Sequence, residues 1–420
     1  MSTRQALLLV LPLACGVGLY AQQVPPANPG PAASVIPQPH LELTNANVVD
    51  VRRGRVIANA SVVLRDGKIL SIGVGAPPSA GATVIDVRGR YLVPGLVDAH
   101  THLSSVDAAR RALLSGVTTV RSASVDFYQD VAIREMVKAG YLAGPDMLAA
   151  GVYVTPNDPS WLADPRMLEI WPRVDSPERL RRLVQINKAR GADVIKTRGT
   201  ERAGRPDTDP REQVYTEAEL RAVVEEATTL GMDVLCHTHG TEGSEAAIRA
   251  GVRSIEHGTY LTEAQLTTMA ARGIYWVPTF TTIIDLTEPG GDYDDPVTRN
   301  RGLFMRPILE RALAAGIKAG VKIVTGADSS YGPESVTRIA HEVENFVRAG
   351  MTPLQALQAA TTVAAEMLRR EKTTGALDPG LEADLIAVDV NPLEDIRALQ
   401  DPLLVVSNGR VALNRLAFGK

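Results

Sequence analysis

The sequence predicts an α/β fold: a (β/α)₈ TIM barrel with a small β-sandwich domain built from both ends of the chain. Between about residues 93 and 375, short β-like runs alternate with helical stretches eight times, as in parallel βα units. Eight units in about 280 residues suit a closed barrel, which typically takes ~250. The flanking segments, 40–92 and 376–420, consist instead of short runs in which apolar and polar residues alternate.

The flanking segments also carry the turn signals of β-hairpins. Asp66-Gly67 and Asn408-Gly409 each separate two alternating runs, and such dipeptides fit the positive φ angles of two-residue hairpin turns. We therefore expect short antiparallel strands at both ends, paired into one β domain. Residues 40–92 form its N-terminal part and residues 376–420 its C-terminal part.

The central segment, residues 93–375, supplies eight strand candidates. They start near Gly95, Thr118, Asp146, Asp193, Asp233, Arg253, Ile274 and Lys322. A doubly wound open sheet is the structural alternative for such a pattern. No glycine-rich nucleotide-binding fingerprint follows the first strand candidate, which favours the barrel.

The N-terminal segment differs in composition from the rest of the chain. Residues 1–21 carry one early positive charge and then an apolar stretch, the pattern of a secretory signal peptide. The apolar run is shorter than the ~20 residues that cross a bilayer. A lipoprotein anchor at Cys15 is the alternative, which Pro12 disfavours. Residues 22–39 form a Pro-rich linker. We expect an exported protein, periplasmic or secreted, without a membrane span.

Composition narrows the range of partners. The 420 residues include 44 Lys and Arg against 48 Asp and Glu, a net charge of −4 without a basic run. We therefore expect no nucleic-acid partner. Of the two cysteines, Cys15 would leave with the signal peptide, so the mature chain would keep Cys236 and form no intramolecular disulfide.

Five of the seven histidines fall at the carboxyl ends of three strand candidates: His100, His102, His237, His239 and His257. In a barrel these ends open on one face, where such enzymes keep their active sites. The two histidines of the first strand, separated by one residue, project the same way and can bind one metal. Such a pair is a weak signal alone, but its recurrence at other strand ends indicates a metal centre.

Lys196 ends the fourth strand candidate and Asp328 ends the eighth. A carboxylate such as Asp328 can bind a metal and accept a proton. A bare ammonium beside two divalent metals is electrostatically unfavourable unless it is chemically altered. A salt bridge is the commoner role of lone Lys and Asp residues, but the joint placement of both at strand ends favours a role in the centre.

Five motifs, in their order and spacing, resemble those of the metal-dependent amidohydrolase superfamily: LVPGLVDAHTHL, GADVIKT, LCHTHG, SIEHG and TGAD. The stretches HEVENFVRAGMTPLQALQAATTVAAEML and GALDPGLEADLIAVDVNPLEDI are similar to that family as well. The chain looks most like the imidazolonepropionase-like and Xaa-Pro dipeptidase-like branch. That branch also contains amidohydrolases that cleave the mycotoxin ochratoxin A.

The resemblance implies two zinc ions per chain. The ligands it implies are His100, His102, Lys196, His237, His257 and Asp328. The first two histidines would hold one ion and the other two the second, with Lys196, carboxylated on its amine, as the bridge. Carboxylation turns that cation into an anion, which removes the electrostatic objection. Asp328 would bind the first ion and carry protons while a hydroxide between the metals attacks an amide carbonyl. Lys196 and Asp328 are thus the predicted catalytic residues.

The substrate-binding residues predicted are His239, Tyr153 and Arg198. The family pattern uses only the first histidine of a pair such as that at 237 and 239, so His239 would lie behind the ligands or face substrate, a structural role being the alternative. Many relatives carry Gly-Gly-His after the third strand, where this chain reads GVYVTPNDPSW, so Tyr153 or Trp161 would line the pocket. Arg198 and Arg202 could pair with a substrate carboxylate, while a solvated surface role suits at least one of them.

The expected function is an exported binuclear zinc amidohydrolase that cleaves the amide bond of N-acyl amino acids or dipeptides, a class that includes ochratoxin A. The first alternative is a cyclic-amide hydrolase of the imidazolonepropionase kind. The second is a non-catalytic, metal-bearing binding protein, which would need neither Lys196 nor Asp328. The resemblance also implies a homo-oligomer, an octamer in many relatives.

Overall fold

The computed structural model describes residues 40–75, 80–158, 164–289, 293–333, 335 and 338–418. The predicted signal peptide, the predicted linker and Trp161 lie outside the described residues. Across the described ranges, no helix combines the length and the apolar character needed to cross a membrane.

The strands of the described residues are mostly short. In chain order they are β1 (Leu41–Asp50), β2 (Arg55–Arg65), β3 (Lys68–Val74), β4 (Thr83–Asp86), β5 (Tyr91–Pro94), β6 (Leu96–Thr101), β7 (Val117–Ser122), β8 (Asp146–Leu148), β9 (Val194–Arg198), β10 (Asp233–Thr238), β11 (Ser254–His257), β12 (Tyr275–Val277), β13 (Leu385–Val388), β14 (Leu404–Ser407) and β15 (Arg410–Asn414).

The helices lie between β6 and β13. They are α1 (Val106–Leu114), α2 (Gln129–Lys138), α3 (Pro177–Ala189), α4 (Glu217–Thr229), α5 (Thr241–Ala250), α6 (Glu263–Arg272), α7 (Phe280–Asp285), α8 (Pro296–Ala319), α9 (Ile339–Arg348), α10 (Pro353–Ala359) and α11 (Thr362–Met367). Short 3₁₀ helices span Asp126–Tyr128, Pro165–Glu169 and Ile396–Gln400.

Strands from both flanking segments form one sheet, in the order β15-β14-β13-β5-β1-β2-β3, with β4 beside β1. β13 pairs antiparallel with β5, so the C-terminal strands extend a sheet that the N-terminal strands begin. The predicted hairpin turns are present between β2 and β3 and between β14 and β15. In each turn both residues have positive φ, 51° and 77° at Asp66 and Gly67 and 50° and 74° at Asn408 and Gly409, as such turns require.

The expected antiparallel pairing is found for most of these strands, but it is wrong for two pairs. β1 pairs parallel with both β4 and β5. The reason is where β4 begins: Thr83 lies opposite Leu41, at the start of β1. A strand that begins beside the start of its neighbour runs in the same direction as that neighbour. Turn signals report only local reversals of the chain, so they do not reveal such a pairing.

The central segment forms two parallel sheets, in the orders β6-β7-β8 and β9-β10-β11-β12. Three isolated parallel bridges continue this order: Val154 with Thr197, Trp276 with Ile323, and Thr101 with Ser329. The parallel sheets confirm the predicted α/β class. The bridges carry the strand order from β8 to β9 and from β12 back to β6, as a (β/α)₈ barrel requires.

The eighth strand position is the irregular one. Isolated bridges at Ile323 and Ser329 take the place of a continuous ladder there. A Cβ atom on Gly326 would lie 2.5 Å from Cγ1 of Val277 and 2.7 Å from Cβ of His100, so only glycine fits this close approach. Asp328 has a φ of 51°, which turns the chain out of the extended conformation and interrupts the pairing.

Two apolar cores flank the parallel strands. One contains Val97 and Leu235, and the other contains Ile195 of β9 together with Leu220 of α4. Side chains alternate along a strand, so Lys196 projects to the face opposite Ile195. The same alternation that buries apolar residues against the helices therefore directs Lys196 away from them.

Candidate metal centre

The predicted ligands meet at the carboxyl ends of the parallel strands. They are His100 in β6, His102 just beyond it, Lys196 in β9, His237 in β10, His257 at the end of β11, and Asp328 at the eighth strand position. All six line one cavity of about 460 Å³ together with His239, Tyr153 and Arg202. This volume lies in the range of small-molecule sites.

Nitrogen and oxygen donors converge in two groups that share one histidine. His100, His257 and Asp328 each place a donor atom within 4.8 Å of the others, and so do His237, His239 and His257. The second group includes His239, which the sequence interpretation placed behind the ligands or toward substrate. The ring of His239 stacks on that of His257 with centroids 4.8 Å apart.

His102 is the most open of these histidines. Its side chain is 38% exposed, and its Nε2 lies 3.0 Å from Oδ1 of Asp328. Its Nδ1 donates to the backbone oxygen of Ser124 at 2.7 Å. Because a carbonyl oxygen only accepts, Nδ1 carries a proton, and Nε2 is the nitrogen that faces Asp328.

His100 and His257 are oriented by acceptors in the same way. Nδ1 of His100 lies 2.6 Å from Oε2 of Glu256. Nδ1 of His257 lies 2.6 Å from Oγ1 of Thr279, whose own hydroxyl donates to a backbone oxygen. In both rings Nδ1 is therefore the donor, and Nε2 keeps the lone pair that a metal ligand needs.

Glu256 was not singled out from the sequence. Its side chain is fully buried, and its two oxygens accept from Nη2 of Arg121 at 2.9 and 3.0 Å. Burial alone would raise the pKa of Glu256, but the Arg121 charge and the His100 hydrogen bond lower it to about 2. An ionised carboxylate therefore orients His100 from behind.

Glu256 and His257 are adjacent in the sequence, and backbone strain explains why both side chains contribute to the centre. On an ideal strand Glu256 and His257 would project to opposite faces. His257 has a φ of 66°, in the left-handed region, which breaks that alternation. Asp328 and Thr279 are also left-handed, with φ of 51° and 46°. Such residues cost free energy and persist where the surrounding structure holds them, often at functional sites.

The imidazoles are in the form that binds metals. Burial lowers the pKa of His100 to about 4 and that of His239 to about 3. Burial, and then the neighbouring imidazoles, lower the pKa values of His237 and His257 well below the ordinary range. These rings are neutral at pH 7, so the residues present fit divalent metal ions that accept imidazole nitrogen.

Lys196 is 2% exposed, with Nζ 3.2 Å from Nε2 of His100. Burial lowers the pKa of Lys196 to about 8, so a fraction of the amine is uncharged at neutral pH. That fraction has a lone pair, and it can react with carbon dioxide. The position is thus chemically suited to the modification that the resemblance implies.

Asp328 is the carboxylate among the predicted ligands. Burial alone would raise the pKa of Asp328, but His100, His102 and Lys196 together hold it well below the ordinary range. Oγ1 of Thr282, on α7, donates to Oδ2 at 3.3 Å. Asp328 therefore stays ionised, with one oxygen toward the histidines and the other toward Thr282.

Two of the three predicted substrate-binding residues, His239 and Tyr153, line the cavity, and Arg198 does not. Arg198 is buried and pairs with Glu201 at 2.9 Å. Arg202 lines the cavity instead, with its guanidinium 5.2 Å from the ring centre of Tyr153. Among the described residues, the buried hydroxyl of Tyr153 has no hydrogen-bond partner.

A metal-dependent hydrolase needs neutral imidazoles that can bind its metal and an ionised carboxylate beside them. Here both lie in a cavity at the carboxyl ends of parallel strands, where barrel enzymes keep their active sites. The chain belongs to the Amidohydrolase family, whose sequence model matches residues 91–412. This membership confirms the resemblance drawn from the motifs, and it makes the protein a hydrolase that acts on carbon–nitrogen bonds.

Three relatives illustrate the branch. Ochratoxinase from Aspergillus niger is 29% identical over 403 residues, covering 84% of this chain and 82% of that protein. Imidazolonepropionase from Geobacillus kaustophilus is 24% identical over 425 residues, covering 86% and 91%. The crystal structure of a Xaa-Pro dipeptidase with methionine bound in the active site has a TM-score of 0.80 at 28% identity, covering 88% of this chain and 99% of that one.

Proposed function

We propose that the protein is an exported binuclear zinc hydrolase that releases an amino acid from N-acyl amino acids or dipeptides, ochratoxin A being one candidate. The observation that carries this proposal is the pair of donor groups sharing His257 in a cavity that also holds Lys196 and Arg202. The similarity to an ochratoxinase and to a Xaa-Pro dipeptidase supports it.

Zinc is the proposed metal because buried imidazole nitrogens suit it better than calcium or magnesium. The proposed ligands are His100, His102, Lys196, His237, His257 and Asp328, with His239 as a further possible donor. When bound, the ions would supply Lewis-acid chemistry, polarising a carbonyl and lowering the pKa of water.

Lys196 would join the ligands as a carbamate. Its uncharged amine forms an N–C bond with carbon dioxide and releases one proton, which leaves an anion with two oxygens. The lowered pKa of Lys196, about 8, increases the supply of uncharged amine at neutral pH. Its burial at the centre of the histidines protects the carbamate from bulk water.

Asp328 would move the proton of the reaction. As an ionised carboxylate it accepts a proton from the attacking water while a C–O bond forms at the amide carbon. It then donates that proton to the leaving nitrogen as the C–N bond breaks. The hydrogen bond from Thr282 holds its second oxygen during both transfers.

Arg202 and Tyr153 would bind the carboxylate of the released amino acid. The guanidinium of Arg202, which lies 5.2 Å from the ring centre of Tyr153, supplies a charge-assisted donor, and the unpartnered hydroxyl of Tyr153 supplies a second donor. Binding a terminal carboxylate at this side of the cavity would direct the amide bond toward Asp328. A preference for substrates with a free C-terminal carboxylate follows.

Export rests on the N-terminal sequence, and the expected homo-oligomer rests on the resemblance. Mass spectrometry of protein from the producing cells would locate the mature N-terminus and its compartment. Light scattering of the purified protein would give the subunit number. Neither result bears on the chemistry of the cavity.

The deciding experiment is a substrate panel of dipeptides, N-acyl amino acids, ochratoxin A and an imidazolone, assayed on chelator-treated protein with and without added zinc. Zinc-dependent release of an amino acid is the expected result. Zinc-dependent opening of the imidazolone alone would favour the cyclic-amide alternative. Binding of about two zinc ions without cleavage of any member would refute the proposed hydrolysis and leave the binding-protein alternative.

A further inference from the structure

A second cluster of oxygen donors lies at the opposite, amino-terminal ends of the barrel strands. Asp146, Glu382 and Asp384 place carboxylate oxygens within 4.8 Å of one another. Asp146 is the first residue of β8, and Asp384 immediately precedes β13 of the mixed sheet. The cluster therefore connects the barrel to the sheet that both chain ends form.

Asp146 and Glu382 line a cavity of about 310 Å³, and Thr119 of β7 lines the same cavity. Thr119 lies opposite Asp146 in the parallel register. Its side chain is 2% exposed, and its Oγ1 has no hydrogen-bond partner among the described residues. A buried hydroxyl without a partner beside such a cavity indicates that another group is to be bound there.

Several cations lie around the cluster, but among the described residues none of them makes an ion pair with its three acids. Asp384 is 2% exposed, and the other two acids are half-buried. Arg134, Lys138 and Arg370 line the cavity, and Arg134 is already paired with Glu135 and Asp193. The charges of Arg370 and Lys68 act on Glu382 from a greater distance than an ion pair. Burial, and then the charge of Asp146, raise the pKa of Asp384 to about 8. Carboxylates this close repel one another as anions, and either a shared proton or a cation bound between them relieves that repulsion.

Asp146 and Asp384 each accept hydrogen bonds from uncharged donors, which fix their side chains. Asn408, in the turn between β14 and β15, donates from Nδ2 to Asp146 at 3.1 Å and from its backbone nitrogen to Asp384 at 2.9 Å. Oγ1 of Thr374 donates to Oδ2 of Asp384 at 3.0 Å. These bonds orient the carboxylates toward one another instead of separating them, as in a prepared binding site.

We propose that Asp146, Glu382 and Asp384, with the hydroxyl of Thr119, bind one divalent cation of the oxygen-preferring kind, Ca²⁺ or Mn²⁺. Oxygen ligands at 2.3–2.6 Å from Ca²⁺ are at most about 5 Å apart, which matches the spacing of these oxygens. The absence of nitrogen donors from the set separates it from the histidine centre. The cation would tie β8 of the barrel to the segment that leads into β13.

The test uses the full-length protein saturated with zinc, so that the histidine centre does not compete for the probe. Equilibrium dialysis with radioactive Ca²⁺ is expected to detect one ion per chain. At a hundredfold excess over Kd, Ca²⁺ should raise Tm by about 3 °C. Glu382→Gln should abolish both effects, and Glu371→Gln, an exposed glutamate outside the cluster, should leave both unchanged.

Two further results keep this test decisive. If Glu382→Gln lacks the wild-type circular dichroism spectrum, Thr119→Val takes its place and is expected to weaken Ca²⁺ binding about tenfold. Absence of Ca²⁺ and Mn²⁺ binding to wild-type protein, or binding that both variants retain, would overturn the proposal. Hydrolase activity is not among the readouts, so failure of the proposed function would leave this result standing.

Discussion

Nδ1 of His100 lies 2.6 Å from Oε2 of Glu256, although the two residues belong to β6 and β11. This contact crosses the barrel and is supported from behind by Arg121, which donates to both oxygens of Glu256. The imidazole that faces Lys196 and Asp328 is therefore oriented by a buried ion pair. The orientation of His100, a candidate metal ligand, thus depends on the buried charges of Glu256 and Arg121 behind it.

Glu256→Gln should weaken the first metal site. The amide still accepts from His100, but it loses the charge that polarises the ring and balances Arg121. We expect metal affinity to fall about 10- to 100-fold and the free energy of unfolding to fall by roughly 3 kcal/mol. Zinc titration against a competing chelator and urea denaturation measure the two effects.

The matched control is Glu366→Gln. Glu366 pairs with Lys322, and both side chains are nearly half exposed. Its loss should cost less than about 1 kcal/mol and leave zinc affinity unchanged. Equal effects of the two substitutions would contradict the orienting role of Glu256.

Asp328→Asn should remove the proton carrier. We expect kcat/KM to fall by ~10²–10⁴ in zinc-saturated protein, because an amide cannot accept and return the proton. Metal content must be measured on the same samples to separate loss of the base from loss of zinc. Asp378→Asn, which removes a surface partner of Arg52, is the control. A fully active Asp328→Asn enzyme would contradict the proposed role of Asp328 as the proton carrier.

Arg202→Met should reduce selectivity for a free carboxylate. Loss of a charge-assisted hydrogen bond should raise KM about 10- to 100-fold for N-acyl amino acids and leave their C-terminal amides, already poor substrates, unchanged. Arg221→Met, on the exposed face of α4, tests for a general charge effect. If acids and amides lose activity equally, Arg202 does not bind the carboxylate.

Carboxylation of Lys196 predicts a direct spectroscopic signature. Protein prepared with ¹³C-bicarbonate should give a carbamate carbon resonance that Lys196→Arg lacks and Lys322→Arg retains. The arginine cannot form a stable carbamate, so its activity should also be lost. A wild-type spectrum without the resonance, in active enzyme, would exclude the carbamate.

Glu342 predicts a pH dependence of stability. Its oxygens accept from the backbone nitrogens of Phe280 and Thr281 at 2.8 Å, at the start of α7. Burial raises the pKa of Glu342 from 4.5 to about 8. A folded-state pKa above the unfolded one means that stability is lost as pH rises, most steeply before the folded pKa is passed.

The measurement is the free energy of unfolding at pH 6 and pH 9. The Glu342 carboxyl should account for roughly 2–3 kcal/mol of the loss between these pH values. Glu342→Gln does not titrate, so its loss over the same interval should be smaller by about that amount. Parallel pH curves for the two proteins would show that Glu342 does not titrate in this range.

Local sequence patterns predict the parts of the centre that lie on strand ends. His100, Lys196 and His237 follow recognisable β-like runs, and parallel strands bring their ends together without further information. Glu256 was not predicted, because the alternation of side chains along a strand would direct it to the face opposite that of His257. The positive φ of His257 breaks that alternation. It is imposed by tertiary contacts, so the pattern of residue types does not reveal it.

The candidate substrate-binding residues depend on loops, whose paths are also set by tertiary contacts. They are therefore harder to predict from the sequence than the ligands at strand ends. Arg198 and Arg202 were both expected in a loop after Lys196, where either could pair with a substrate carboxylate, but Arg198 is the last residue of β9. The structure pairs it with Glu201, and the loop after β9 brings Arg202 to the cavity instead. The path of a loop is set by contacts such as those of Arg301, which donates to the backbone oxygens of Arg205 and Thr208.

The pairing of β5 with β13 also constrains how the chain is made. About 290 residues separate these partners, so a ribosome adding 5–20 residues per second emits the second roughly 15–60 s after the first. During that interval β5 has an unpaired edge, and nascent chains with such edges are exposed to aggregation. We therefore expect chaperones to assist this protein during synthesis until residue 388 has emerged and β13 can pair with β5.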